Sequence, residues 1–180
     1  MQKIKLYSSR KLLFLFVLLA LALCIFIFCM SGESAEISGT KSKSIVKEIV
    51  TIVVPDFDRR IPPAEQPAFF STLDHYFRKA AHFSLFALLG VLLFDISIYF
   101  ESTWRAHVLT AFFGAAVYAA IDEFHQAFSP GRGPRASDVL LDSAGAAFGI
   151  FAALMVALWI VKRKRSAPNQ MRSGANEKQR

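Results

Sequence analysis

The residues best suited to chemistry in this sequence lie in three short stretches that are far apart along the chain. The first stretch contains Arg78, Lys79 and His82. Arg78 and His82 are four residues apart, so on a helix they lie on one face. A guanidinium group matches the oxygens of a phosphate in a bidentate manner. This stretch therefore indicates a site for an anionic group.

The second stretch contains Asp122, Glu123, His125 and Gln126. Carboxylates and imidazoles transfer protons in general acid–base catalysis, so the candidates for a catalytic role are Asp122, Glu123 and His82. Asp122, Glu123, His125 and His82 are also suitable ligands for a divalent cation, but no HExxH or comparable spacing supports a metal site. We therefore predict no metal and no cofactor.

The third stretch is a single helical stripe. Asp138, Asp142, Gly145 and Gly149 follow one another at spacings of four, three and four residues, which places them on one face of a helix. The first half of the stripe is acidic. The second half is a G-x-x-x-G surface, which lets a neighbouring helix approach closely.

The three stretches are expected to converge, because charged residues at membrane depth are costly unless they face the bundle interior and pair. Two further arginines lie in the turn before the third stretch, so four basic residues balance four acidic ones: Arg78, Lys79, Arg132 and Arg135 against Asp122, Glu123, Asp138 and Asp142. The predicted binding residues are Arg78, Lys79, His82, Asp122, Glu123, Gln126, Arg132, Asp138 and Asp142. Two interpretations stay open at this point: a structural ion-pair network that sets the helix register, or a site for a polar or anionic headgroup.

The elements that position these residues are four long apolar blocks. The chain of 180 residues is 54% hydrophobic and 19% charged, which is too apolar for an ordinary soluble domain. The blocks cover residues 12–30, 80–100, 106–121 and 139–161, and a helix needs about 20 residues to cross the hydrocarbon core. The third block is short, so its helix should continue through Asp122 and Glu123. The sequence predicts an all-α membrane protein with a four-transmembrane-helix bundle.

The net charge of +7 lies at the two ends of the chain, which argues against nucleic acid as a partner. Basic residues precede the first block and follow the last, whereas residues 31–79 are neutral overall. The positive-inside rule then places both termini in the cytoplasm. Residues 31–79 and 122–138 consequently face outward. We expect the first block to be a retained anchor, since it is longer than the h-region of a signal peptide, which has about 7 to 15 residues.

The segments outside the four blocks are of three kinds. Residues 31–40 are small and polar, and we expect them to be mobile. Residues 45–53 favour a short amphipathic outer helix at the membrane surface, with a β-strand as the alternative because the run is rich in branched residues. The tail after Arg165 is polar and basic, which predicts disorder. The predicted divisions are therefore residues 1–30, 31–161 and 162–180.

Taken in order, the three stretches resemble the signature blocks of the VanZ-like membrane proteins. They read Arg78-Lys79-x-x-His82-Phe83, Asp122-Glu123-x-x-Gln126-x-Phe128-x-Pro130-Gly131-Arg132 and Asp138-x-x-x-Asp142-x-x-Gly145-x-x-x-Gly149. The resemblance covers residues 31–161. It implies a protein of the bacterial plasma membrane that works at the outer leaflet, either in resistance to teicoplanin-type glycopeptides or in cell-envelope handling. A lipid-linked cell-wall precursor or a glycopeptide is the partner that it implies, beside the lipid bilayer.

Two functions stay open on the sequence. The first is a non-catalytic protein that binds a molecule of the cell envelope or a glycopeptide. The second is a membrane-embedded enzyme in which Glu123 or Asp122 exchanges a proton with His82 or His125 while arginines hold the substrate. A transporter is disfavoured, because no broken helix or inverted repeat is evident.

Overall fold

A computed structural model describes residues 9–54, 57–131 and 133–177 of the chain. Within these residues the protein is all-helical. The helices are α1 (Arg10–Ser31), α2 (Ala35–Val53), α3 (Phe57–Arg60), α4 (Gln66–Ser97), α5 (Trp104–Gln126) and α6 (Ala136–Glu177). The prediction of an all-α fold is confirmed.

Four helices are long and apolar enough to cross a membrane: α1, α4, α5 and the part of α6 that spans Ala136–Arg163. This confirms the prediction of four transmembrane helices. α5 begins behind Thr103, whose side chain accepts a hydrogen bond from the backbone N–H of Ala106 at 3.3 Å and so caps the helix. It continues through Asp122 and Glu123, as the shortness of the third apolar block predicted.

α4 and α6 form the closest helix pair of the bundle. A Cβ atom added to Gly145 would lie 2.3 Å from the carbonyl oxygen of Phe83, and one added to Gly149 would lie 1.9 Å from that of Ala87. Both distances are far below van der Waals contact. The two backbones therefore meet along the G-x-x-x-G surface, and this contact determines how the acidic half of the α6 stripe faces α4.

Apolar residues fill the space between the spans. One buried cluster joins α4, α5 and α6 around Phe94, Ala111 and Ile150. A second joins α1 to α4 and α5 through Ile27 and Phe86. Large apolar side chains on the outer faces of these helices are not covered by other parts of the protein. Such faces are typical of helices that contact lipid chains.

The segment between α1 and α4 is more regular than the sequence predicted. α2 is a helix and not a strand, and it begins at Ala35, so residues 35–40 are helical where we expected a mobile stretch. Val46 and Val50 of α2 pack with Phe57 of α3 and with Phe70 and Phe77 of α4. This apolar contact stabilises a helix that would be marginal alone.

α4 and α6 also extend beyond the predicted spans. α4 begins at Gln66 and carries its first turns outside the apolar block. α6 continues to Glu177, where the sequence predicted a disordered tail.

Candidate functional site

Polar side chains from five helices meet at one end of the bundle, where α1 and α5 finish and α6 starts. We call it the polar end. It contains the three stretches that the sequence singled out, and α2 lies beside it. Helices from distant parts of the chain thus bring these residues together.

Asp122 occupies the centre of the polar end and is 1% exposed. The hydroxyl of Ser31, the last residue of α1, donates a hydrogen bond to Asp122 Oδ2 at 2.8 Å. The amide of Gln126, one turn further along α5, donates to the same oxygen at 3.0 Å. Asp122 is therefore held by its own helix and by α1. The sequence did not identify Ser31, which no charge or motif marks.

His82 of α4 faces Asp142 of α6. The distance from His82 Nδ1 to Asp142 Oδ2 is 3.6 Å, and Asp142 is 3% exposed. His82, Asp122 and Asp142 each present one ligand atom, and these atoms lie within 4.8 Å of one another. Three helices thus contribute one potential metal ligand each.

Two ion pairs lie near this centre. Lys79 Nζ is 2.7 Å from Asp138 Oδ1, which ties α4 to the first turn of α6. A carboxylate is favourable there, because it interacts with the positive end of the helix dipole. Arg78 Nε lies 3.4 Å from Asp74 Oδ2, one turn earlier in α4. Asp74 is 2% exposed and was missed, although its spacing of four from Arg78 marks it as a helical pair.

Glu123 positions the turn into α6. Its Oε1 accepts a hydrogen bond from the backbone N–H of Arg135 at 2.5 Å, and the side chain is buried. Gly131 adopts a φ of 76° in the same turn, a conformation that glycine accepts without strain. Arg132, a predicted binding residue, lies outside the described residues.

His125 lies on a different side of α5. Its ring stacks on Phe28 of α1, with 3.8 Å between the ring centroids and an interplanar angle of 21°. This contact joins α1 to α5. The structure thus assigns His125 a packing contact with α1, apart from the group formed by His82, Asp122 and Asp142.

A cavity of about 330 Å³ opens at the polar end between α2, α4 and α6. Six of the predicted binding residues line it: Arg78, Lys79, His82, Gln126, Asp138 and Asp142. Asp122 and Glu123 are not among the lining residues that the structure describes. The structure therefore brings most of the predicted set to one cavity and places the two remaining described carboxylates behind its wall.

The cavity wall combines basic and apolar groups. Lys41 of α2 and Arg135 before α6 add positive charge to that of Arg78 and Lys79. Lys41 also forms an ion pair with Glu33. Apolar lining comes from all three surrounding helices, as Ile45, Phe77, Leu85 and Leu141. The sequence missed the α2 residues because α2 was predicted only from residue 45, at the surface of the membrane.

Comparisons with known proteins agree with this architecture. The family model described as VanZ/LLP1 matches residues 16–160, which is most of the chain. No curated protein and no solved structure matches the chain. The matched residues include all of α4 and α5, most of α1 and of the span of α6, and every described residue of the polar end discussed above. This membrane protein belongs to the VanZ/LLP1 family.

Proposed function

We propose that this protein binds the anionic headgroup of an envelope lipid at the outer face of the bacterial plasma membrane. The observation that carries the proposal is the mixed wall of the cavity at the polar end. Phosphate oxygens pair with guanidinium and ammonium groups, which Arg78, Lys79 and Arg135 supply, whereas lipid chains need the apolar wall around Leu85 and Leu141. A lipid-linked cell-wall precursor has both chemical parts.

The topology supports the same location. Basic residues cluster before the first apolar block and after the last, which favours the cytoplasm for both termini and hence an outer location for the polar end. Glycopeptides of the teicoplanin type act on lipid-linked precursors outside the membrane. Binding such a precursor, or the glycopeptide itself, would lower drug sensitivity.

Lys41 and Lys43 provide a matched test. Both are exposed lysines of α2, but only Lys41 is among the described residues that line the cavity. We expect Lys41→Gln to reduce the lipid that copurifies with the protein from bacterial membranes, and also to reduce growth at inhibitory teicoplanin concentrations. Lys43→Gln should leave both unchanged. Equal effects of the two changes, at equal membrane abundance, would contradict the proposal.

A second function, a membrane-embedded enzyme acting on a lipid-linked envelope substrate, is supported by the approach of His82 to Asp142. Mass spectrometry of membrane lipids with and without the protein would detect a changed headgroup. The variant Glu123→Gln is a further test, because the two functions predict different effects of this change. Because Glu123 accepts a backbone hydrogen bond, which a glutamine carbonyl can also accept, headgroup binding should survive, whereas proton transfer through Glu123 should not.

A further inference from the structure

We propose that His82, Asp122 and Asp142 form a site for one divalent transition-metal ion, such as Zn²⁺ or Mn²⁺. The proposal goes beyond headgroup binding and does not depend on it. The sequence predicted no metal, because it contains no HExxH or comparable ligand spacing. These three ligands come instead from α4, α5 and α6 and meet only in the folded bundle.

Burial of the two carboxylates is the first argument. Asp122 and Asp142 are 1% and 3% exposed, at a depth where uncompensated charge is costly. Among the described residues, two basic side chains at the polar end pair with other carboxylates, Lys79 with Asp138 and Arg78 with Asp74. One imidazole cannot neutralise two carboxylates. A divalent cation would neutralise both.

Unused oxygen atoms are the second argument. Asp122 Oδ1 and Asp142 Oδ1 are both buried and have no hydrogen-bond partner among the residues that the structure describes. Buried acceptors of this kind are rare, and each needs an explanation. The other oxygen of Asp122 is held by Ser31 and Gln126, which orient the carboxylate in the manner of the outer-shell partners of metal ligands.

The three ligand atoms need to move only slightly closer together to bind one ion. Ligand atoms around a tetrahedral ion lie about 2.0 to 2.2 Å from it and hence about 3.4 Å from one another. His82 Nδ1 and Asp142 Oδ2 are already 3.6 Å apart, and the three ligand atoms of the group lie within 4.8 Å of one another. Side-chain rotations that shorten these separations by at most about 1.4 Å would close the set.

The ligand chemistry indicates the metal and its use. Imidazole suits Zn²⁺ and other transition metals, and carboxylates also suit Mn²⁺, so one nitrogen with two oxygens selects against a site built only for Mg²⁺ or Ca²⁺. Three protein ligands leave a coordination position open, as in catalytic sites and not in closed structural ones. His82 and Asp142 line the cavity, so an oxygen of an anionic ligand can reach that position.

Titration of the purified full-length chain tests the site. The protein, in detergent without added lipid and without an affinity tag, is treated with EDTA and then titrated with Co²⁺, a spectroscopic substitute for Zn²⁺. We expect ligand-field absorption bands that saturate at one Co²⁺ per chain and disappear when Zn²⁺ is added. Absence of such bands in the parent protein would overturn the proposal, whatever any variant does.

Variants assign the ligands. Loss of an outer-shell partner typically weakens metal binding about 10- to 100-fold, so Asp142→Asn, which removes a ligand, should weaken it further. Asp95→Asn is the matched control, since Asp95 is a half-buried carboxylate near the other end of α4. Helix content without metal verifies that each variant folds. If Asp142→Asn does not fold, His82→Gln takes its place. If a variant that lacks one of the proposed ligands folds and binds Co²⁺ as tightly as the parent, the proposed site is wrong.

Discussion

At the residue scale, Asp122 shows how a buried carboxylate is accommodated in this bundle. Its Oδ2 accepts hydrogen bonds from Ser31 and from Gln126, and these two side chains also contact each other, with Gln126 Nε2 3.1 Å from Ser31 Oγ. The hydroxyl of Ser129 adds hydrogen bonds to the carbonyl oxygens of Ser31 and Gly32, both at 3.3 Å. A small polar network thus joins the end of α1 to the end of α5.

Ser31→Ala should therefore destabilise the protein. The change removes one of the hydrogen bonds that hold a buried carboxylate, which costs about 1 to 3 kcal/mol. The free energy of unfolding in detergent, measured by denaturant titration, checks this. Ser71→Ala is the control, because Ser71 is exposed on α4. If both variants unfold like the parent, Ser31 does not stabilise Asp122.

At the element scale, the contact between α4 and α6 determines the site. Gly90 repeats the close approach seen at Gly145 and Gly149, since a Cβ atom added there would lie 2.4 Å from the carbonyl oxygen of Ala146. Glycines on both helices thus allow backbone contact over several turns. This contact holds His82 opposite Asp142 and Lys79 opposite Asp138.

Gly149→Ala should weaken this contact. The new methyl group would meet backbone atoms of Ala87, which cannot move away as a flexible side chain does, and such overpacking typically costs about 1 to 3 kcal/mol. Thermal unfolding in detergent measures the loss. Gly39→Ala is the control, because Gly39 lies in α2 and a Cβ atom added there has no atom within 4 Å. The higher helix propensity of alanine should raise the stability of this variant by up to about 1 kcal/mol. A parent-like melting temperature for Gly149→Ala would contradict the close packing.

Cysteine crosslinking tests the convergence of α4 and α5 at the polar end. With Cys24 and Cys29 replaced by alanine, cysteines introduced at His82 and Gln126 should be joined by short bifunctional reagents, because both positions line one cavity. The pair of His82 and Leu109 is the control, since Leu109 lies in the early turns of α5, towards the opposite end of the bundle. Crosslinking of the control alone, with all thiols accessible, would show a different helix arrangement.

At the scale of the whole molecule, the charge distribution and the four spans together predict the orientation in the membrane. A reporter fused after Arg180 should be active only in the cytoplasm, and one fused to a chain truncated after Thr40 only outside. The reason is the excess of lysine and arginine before the first apolar block and after the last. Each fusion point is tested with two reporters, one active only in the cytoplasm and one active only outside, so that each location gives a positive signal. Outside activity at Arg180 would exclude the proposed location of the polar end.

The sequence alone determined the number of spans and the three stretches that meet at the polar end. Hydropathy is a local property, and a helix that crosses lipid satisfies its backbone hydrogen bonds within its own segment, so apolar blocks identify spans without knowledge of their neighbours. Helical spacing was equally informative. It placed Asp138 and Asp142 on the face of α6 that carries Gly145 and Gly149, and the structure packs that face against α4.

Only the tertiary structure decided which charges meet. The sequence balanced the basic and acidic residues as one group, whereas the folded chain pairs Arg78 with Asp74 and joins His82, Asp122 and Asp142 across three helices. It also brings α2 to the side of the cavity. These pairings depend on the rotation and crossing of helices, which result from glycine contacts between α4 and α6 and from apolar packing of α2 on α4. Such contacts join residues far apart in the chain, and no local pattern contains them.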